Sequence, residues 1–578
     1  MTSAIPALPR PDTGDLLSAL RAVVGRRHVL TSSRATARYR KGYRTGNGPA
    51  IAVVRPGSLL ELWQVASACV AADVSIIMQA SNTGLTGGST PDGGDYPGGL
   101  VIISTTRLGD LRVIRDGAQV LCQPGTTLNR LERALRPFGR EPHSVIGSSC
   151  LGASVVGGVC NNSGGSLVRR GPAYTQLALY ARVQPDGTLA LVNHLGIALG
   201  DTPETILARL DRGDFSESDI EPATQSWAHD HAYLDHVRDI DSASPARFNA
   251  DPRCLFEAAG SAGKLIVFAV RLDTFAREEE TTTFYIATRD PARLTRLRRA
   301  MLSDFELPPI AGEYMHETAF DIADVYGRDM FVAIERLGTD RLPALFSAKS
   351  RFDAVFGDGR SDRMMQWAGR FLGDHLPTRM RKFRARFEHH LILKVSHDQV
   401  GPTRALLAEL FPGDSQADHF ECTAEESAKA FLHRFVAAGA AVRYRAVHPE
   451  TVEDIVALDV ALPRNTLEWE EHLPPALESK VLHTLYYGHF FCQVFHQDYI
   501  VRKGTDPLRF EHALWDLLDT RGAQYPAEHN VGHLYIAKPE LTEFYQSLDP
   551  RNQLNPGIGQ TARGRHWSSP SPHGDGCT

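Results

Sequence analysis

No two cysteines in this chain are spaced as CxxC. The eight thiols are scattered at 69, 122, 150, 160, 254, 422, 492 and 577, which excludes a zinc ribbon and a thioredoxin-type motif and fits a reducing compartment. No window approaches eighteen uninterrupted apolar residues, and the N-terminal MTSAIPALPRPDTGD has no basic segment followed by an apolar one. Neither a membrane-spanning helix nor an export signal is therefore expected. An excess of one charge is also missing. With 62 basic against 68 acidic residues the net charge is −6, which argues against a general polyanion binder and leaves only local basic patches as docking surfaces. No Gly-Lys-Ser/Thr of a Walker A loop follows the glycine-rich runs, and neither run is a GxGxxG fingerprint. Residues 557–562 (GIGQTA) formally fit GxGxxA, but they follow LNP without a βαβ unit and read as loop. What remains is 578 residues of ordinary globular composition, 42% hydrophobic and 22% charged, enough for a large core and more than one domain.

The periodicities begin as α/β. IAVV from 51 reads as a strand, Ser58 with Glu61 three residues on has capping-box spacing for a helix, and VSIIMQ reads as the next strand. Runs at 100–104 and 118–122 read as further strands, and Leu128, Leu131 and Leu135 share one helical face before Gly139 stops the helix. A more charged composition near 275 marks the end of a first domain. From 276 to 527, helical stretches such as 402–411 and 425–439 mix with strand-like HLILKVS (390–396), the pattern of an α+β cap.

Two glycine-rich runs, QASNTGLTGGST (79–90) and IGSSCLGASVVGGVCNNSGGSLVRRG (146–171), stand out. Small residues there let backbone amides approach a pyrophosphate that a Cβ would hold away, although each run alone also fits an ordinary tight turn. Together with PGTTLNRLERALRPFGREP and GSAGKLIVFAVRL (260–272), these segments resemble, in order, the vanillyl-alcohol-oxidase type of FAD-binding domain. YRKGYRTGNGPAIAVVRPGSLLELW, QYPAEHNVGHLY and DPRNQLNPGIG extend the resemblance, over essentially the whole chain, to the bacterial respiratory quinone-dependent D-lactate dehydrogenases. The resemblance implies an α+β fold: a FAD-binding domain (1–275), a cap (276–527) with a basic membrane-associating insertion at about 318–394, and a C-terminal segment (528–578) returning to the FAD domain. It places Ala80, Ser81, Asn82, Thr83, Gly84, Gly88 and Ser89 of the first loop on FAD, with Gly147, Ser154 and Gly164 of the second and Gly263, Val267 and Ala269 of the exit strand. The flavin is expected to be non-covalent, because 79–90 contains neither His nor Cys, with His143 and Cys150 near the second loop as the only exceptions to weigh.

Histidines concentrate in YYGHFFCQVFHQDY (486–499) and AEHNVGH (527–533). His489 and His496 are seven apart, and Glu528 and His529 are adjacent. On spacing alone these are structural histidines, proton acceptors or ligands of a divalent ion. The resemblance gathers His489, His496, Glu528 and His529 over the flavin, with His529 taking the hydroxyl proton of D-lactate and Arg464 in LDVALPRNT holding its carboxylate. Relatives that oxidise 2-hydroxy acids usually carry a GDGN-like stretch between the histidines, whereas this chain has FFCQVF, so metal content stays open. Glycolate or 2-hydroxyglutarate as substrate, a metal-dependent hydrolase and a non-enzymatic membrane-surface module are the competing readings.

The resemblance also implies delivery of electrons to a membrane quinone, from the cytoplasmic face of the inner membrane, without a spanning segment. In LPTRMRKFRARFEHH (376–390), Leu376, Met380, Phe383 and Phe387 recur at helical spacing among Arg379, Arg381, Lys382, Arg384 and Arg386. This reads as a basic amphipathic helix on an anionic lipid surface, or as a solvated helix paired with its own acidic neighbours. Nucleic acid is not expected as a partner.

Overall fold

The computed structural model describes residues 13–42, 44–143, 152–221, 226–338, 349 and 359–568. Its first sheet has four strands in the order Val29–Leu30, Ala52–Val54, Leu100–Ser104, Ser75–Gln79, the last three parallel. Parallel neighbours require a crossover, and helix Leu59–Ala71 is one such connection. Ser58 Oγ accepts from Glu61 N–H at 3.1 Å, and the Glu61 carboxylate reaches Gly57 N–H at 2.6 Å. The expected capping interaction thus forms with its return arm one residue early. Leu62, Val65, Ala66 and Cys69 on the inner face of that helix pack fully buried against Ile76 and Ile103.

A second, antiparallel sheet runs Leu111–Ile114, Gln119–Cys122, Ile266–Asp273, Ala178–Val183, Leu189–Asn193. In helix Leu128–Leu135, Leu128, Leu131 and Leu135 are buried as the spacing predicts, Thr127 caps the start, and Gly139 ends the following turn at φ +63°. In the exit strand the register slips between Val267 and Ala269.

The cap is built on seven antiparallel strands in the order Ala417–Glu421, Thr281–Thr288, His389–Ser396, Ala311–His316, Val481–His489, Val494–Arg502, Val452–Ala461. His489 and His496 are brought together by the hairpin between 481 and 502, not by a helix. The chain reverses through Phe490–Cys492 and Gln493, whose φ is +51°, and His496 pairs with Tyr487 across the ladder. The FFC residues at the turn are buried core, and Phe491 lies so close to Gly312 that a Cβ there would overlap its ring. The stretch that departs from the GDGN pattern is therefore occupied with packing.

The segment 376–390 corrects one expectation. Helix Thr378–Arg384 forms, but Leu376, Met380, Phe383 and Phe387 are buried in the cap core with Tyr285, Phe320 and Phe420, so the apolar stripe is not available to a bilayer. Arg379 pairs with Glu426, Arg381 with Asp324 and Asp374, Arg384 with Asp321 and Glu317, and Arg386 with Asp418. Of the five cations only Lys382 has no ion pair among the described residues. Among the described residues, no helix is long and apolar enough to cross a membrane.

The C-terminal segment closes the molecule. Leu554 pairs in parallel with Ile76, Gln553 Nε2–H donates to Val74 O at 3.0 Å, and Asn555 Nδ2–H donates to Gly88 O and Ala262 O, each at 2.8 Å. Residues 557–562 are indeed loop, with Gly557 and Gly559 at positive φ.

Candidate active site

Four chain regions converge on one set of ionisable groups. The hairpin supplies His489 and His496, the strand Val452–Ala461 supplies Asp459, the strand Ala311–His316 supplies Glu313, and the loop after residue 526 supplies Glu528 and His529. His489 Nδ1–H donates to Glu313 Oε1 at 2.6 Å, and its Nε2 lies 3.3 Å from Glu528 Oε2. Arg434 lies 3.2 Å from Glu313, and Arg247 pairs with Glu528. The result is a buried chain of alternating charge: Arg434, Glu313, His489, Glu528, Arg247. Beside it, Asp459 lies between two imidazoles: Oδ2 accepts from His529 Nδ1–H at 2.8 Å and Oδ1 lies 3.2 Å from His496 Nδ1. Ring centroids are 5.3 Å apart for His489 and His496, and 5.9 Å for His496 and His529.

The electrostatics sort the three histidines. Burial works against a charge on His489, but Glu313 and Glu528 overcome it and lift its pKa to about 10, so it is an imidazolium at neutral pH. Burial would raise Glu528, yet Arg247 and His489 hold it down at about 2. Burial lowers the pKa of His496, with Asp459 opposing. For His529, Asp459 outweighs burial and raises the pKa. A carboxylate cannot donate, so the hydrogen on His529 sits on Nδ1 and the neutral ring carries its lone pair on Nε2. At 40% side-chain exposure His529 is the most open of the three, against 19% for His496 and 11% for His489. His529 is thus the ring suited to take a proton, while His489 is a fixed positive charge. Glu313, Asp459, Arg247 and Arg434 are site residues that the sequence reading missed. Two triads, His489–His496–Glu528 and Asp459–His496–His529, also have spacings that a divalent ion would accept.

The glycine loops lie against this cluster. Gly164 abuts Glu528, where a Cβ would come 2.6 Å from Cδ and 3.0 Å from Arg247 Nε. Gly88 abuts Asn530, with a Cβ 2.8 Å from its Cγ. Ser81 Oγ–H donates to Gly152 O, joining the two loops, and Ser89 Oγ–H donates to Asn82 Oδ1 at 3.1 Å. Ala80, Ser81, Asn82 and Thr83 are half-buried and Gly84 is exposed, with no atom within 4 Å of the position a Cβ would take. Ser154 caps the short helix Val155–Cys160. Gly263 turns at φ +86° before the exit strand, where Val267 is 4% exposed and Ala269 is fully enclosed in the core, supporting the strand from within rather than lining a cavity. Gly147 and Cys150 lie outside the described residues. Buried polar atoms without partners, among them Asn161 Oδ1, Ser261 Oγ and Arg247 Nη1, line the second loop, the turn before the exit strand and the histidine cluster. Open space at Gly84 and Gly152 together with unspent donors and acceptors suits a polar, phosphate-bearing cofactor such as FAD.

Residues 50–193 match the family model described as FAD binding domain, and residues 283–567 match D-lactate dehydrogenase, membrane binding. The chain is 56% identical over 562 residues to the quinone-dependent D-lactate dehydrogenase of Escherichia coli (strain K12), covering 96% of this chain and 98% of that one. The chain belongs to the quinone-dependent D-lactate dehydrogenase family. The Haemophilus influenzae member of that family is 53% identical, over 96% of this chain and 99% of its own. Among solved structures, p-cresol methylhydroxylase with substrate bound aligns at a TM-score of 0.56 and 12% identity, over 96% of this chain and 97% of that one, which establishes the vanillyl-alcohol-oxidase-type fold.

For this member of the D-lactate dehydrogenase family the structure corrects the expected carboxylate ligand. Arg464 is 2% exposed, and its guanidinium donates to Ser244 O at 2.9 Å, Ser244 Oγ at 2.8 Å and His236 O, with Asp239 at 3.7 Å. It ties the loop after strand Val452–Ala461 to residues 236–244. Its fork is spent on the protein itself, whereas Arg434 Nε and Arg247 Nε and Nη1, next to the histidines, have no partner.

Proposed function

We propose that the chain oxidises D-lactate to pyruvate with FAD as non-covalent cofactor and passes the electrons to a membrane quinone. The observation that carries the catalytic assignment is the His529–Asp459 pair, which holds the hydrogen on Nδ1 and leaves the lone pair on Nε2 of the most exposed of the three rings. In this reading His529 Nε2 takes the hydroxyl proton of D-lactate. The His489 imidazolium stabilises the alkoxide charge that develops as the proton leaves, and His496 and Glu528 fix its position. FAD, when bound, supplies the two-electron acceptor for the hydride that leaves Cα. Arg434 takes the role first assigned to Arg464: it stacks 4.4 Å from the Tyr487 ring centroid with Nε free, and its fork suits a carboxylate. Arg247, fixed on Glu528, adds a second positive charge at the other end of the cluster.

The first-loop residues 80–84, 88 and 89, with Gly147, Ser154, Gly164 and the backbone of 263–269, hold FAD in this reading. The FAD-binding domain spans 1–275, the cap 276–527, and 528–578 completes the site. The enzyme works peripherally at the cytoplasmic face of the inner membrane, against anionic lipid. The test is an absorption spectrum of the purified protein under anaerobic conditions. The flavin bands near ~370 and ~450 nm should be present, the longer one bleaching with D-lactate and not with L-lactate. A yellow protein bleached faster by glycolate or D-2-hydroxyglutarate would refute the substrate, and a colourless one that takes up no FAD would refute the whole reading.

A further inference from the structure

If the basic helix at 378–384 is folded into the protein, the lipid contact must be made elsewhere. The helix Arg360–Gly369 and the turn after it carry an amphipathic pattern that is inside out. Its buried face is polar: Asp362, 7% exposed, accepts from Arg443 Nε–H at 2.7 Å, and Gln366, 8% exposed, donates to Val325 O at 3.1 Å. Its outer face carries Met364 at 52%, Trp367 at 61% and Phe371 at 74% exposure, Phe371 being the most exposed large hydrophobic side chain among the described residues. Trp367 and Phe371 pack edge to face at 5.1 Å, supporting each other in solvent. A surface helix that only met water would reverse this arrangement.

Among the described residues, the charges nearest the aromatic pair are mostly positive. Arg360, Arg363 and Arg370 are exposed beside it, and none has a carboxylate within 4.0 Å among the described residues. This distinguishes them from the arginines at 379–386, whose charges are already compensated. At the foot of the helix a cleft of about 350 Å³ is lined by Arg363, Gln366, Trp367, Arg370, Val447 and Pro449, with Glu450 as its one acidic group. Aromatic rings flanked by cations that have no carboxylate partner among the described residues match the headgroup region of an anionic bilayer, where rings sit at the polar boundary and guanidinium groups meet phosphates.

We infer that the membrane contact of this chain is the 360–371 face, with Trp367 and Phe371 entering the interface of an anionic phospholipid bilayer and Arg363 and Arg370 binding its phosphates. This rests on the reading that a lipid surface is the partner. The full-length flavoprotein is sedimented with vesicles of phosphatidylcholine alone and of phosphatidylcholine mixed with phosphatidylglycerol. Wild type should favour the anionic vesicles, and Trp367→Ser/Phe371→Ser should lower the partition coefficient about tenfold or more, with flavin bleaching by D-lactate unchanged. Arg363→Gln/Arg370→Gln should remove the preference for phosphatidylglycerol. Bromine-labelled lipid should quench wild-type tryptophan fluorescence, and Trp367→Phe should lose that quench while still sedimenting. Arg381→Gln, which breaks the ion pairs of the internal helix, should lower the melting temperature and leave partition as it was. Wild-type sedimentation matched by the Trp367→Ser/Phe371→Ser variant would overturn this inference alone. A wild type that binds neither vesicle would overturn the lipid-surface reading with it.

Discussion

Replacing Asp459 by asparagine isolates what its charge does for His529. Asp459 Oδ2 accepts from the backbone N–H of Glu528 at 2.6 Å, from that of His529 at 3.1 Å and from His529 Nδ1–H at 2.8 Å. Three donors aimed at one oxygen turn the asparagine amide so that its carbonyl faces them, which keeps the His529 tautomer, removes the negative charge and presents the NH2 to His496 Nδ1. With His529 as the proposed base, proton transfer from the substrate forms an imidazolium beside that carboxylate. Opposite unit charges about 4 Å apart at an effective dielectric constant of about 20 attract by about 4 kcal/mol. Losing that attraction slows proton removal by about 10³-fold. Asp459 also raises the His529 pKa, so the rate rises with pH as His529 loses its proton, and this limb moves to lower pH in the variant. Anaerobic stopped-flow bleaching of the flavin by D-lactate across pH measures both effects, and the flavin spectrum confirms that the site is intact. A variant within about twofold of the wild-type rate, with its pH limb unmoved, would refute the assignment of His529 as base.

The ion chain through His489 makes stability depend on pH in a defined sense. The His489 pKa is raised from 6.5 to about 10, so its contribution is full below 6.5 and is lost as pH rises through about 10. The difference in melting temperature between wild type and His489→Gln should therefore shrink over that window. Arg464→Ala, which breaks the bonds to Ser244 and His236, should destabilise the protein by about 2–4 kcal/mol in chemical denaturation with KM for D-lactate unchanged, whereas Arg434→Ala should raise KM about 10- to 100-fold. Gly164→Ala pushes a methyl group against Glu528 and should abolish D-lactate-driven bleaching while circular dichroism stays native.

The elements made of local signals were legible in the sequence. The Ser58 cap, the leucine face at 128–135 and the strand at 390–396 depend on neighbours a few residues away. The four residues that cluster, His489, His496, Glu528 and His529, could be picked out because two short motifs carry them. Their partners could not, because Glu313 is 176 residues from His489 and Asp459 is 70 from His529, and an isolated acid in a strand leaves no local trace. The seven-residue separation of the histidines fits either a helix or a hairpin, and only the buried FFC turn decides it. Arg464 misled because a Pro-Arg pair in sequence does not say where the guanidinium is spent. The stripe at 376–387 misled for a related reason: the spacing that suits a bilayer also suits a protein core, and the neutralising acid Asp324 lies 57 residues before Arg381.

The return of the C-terminal segment bears on how the molecule comes into being. Leu554 is bonded beside Ile76, and Asn555 joins Gly88 to Ala262, so the first glycine loop is braced by residues synthesised nearly five hundred positions later. A ribosome that has translated the first domain, and even the cap, holds a nascent chain whose first loop still lacks its brace and whose histidines still lack His529. Flavin loading and catalytic competence then arrive together, after translation has passed residue 555. A chain truncated before that point should emerge without cofactor.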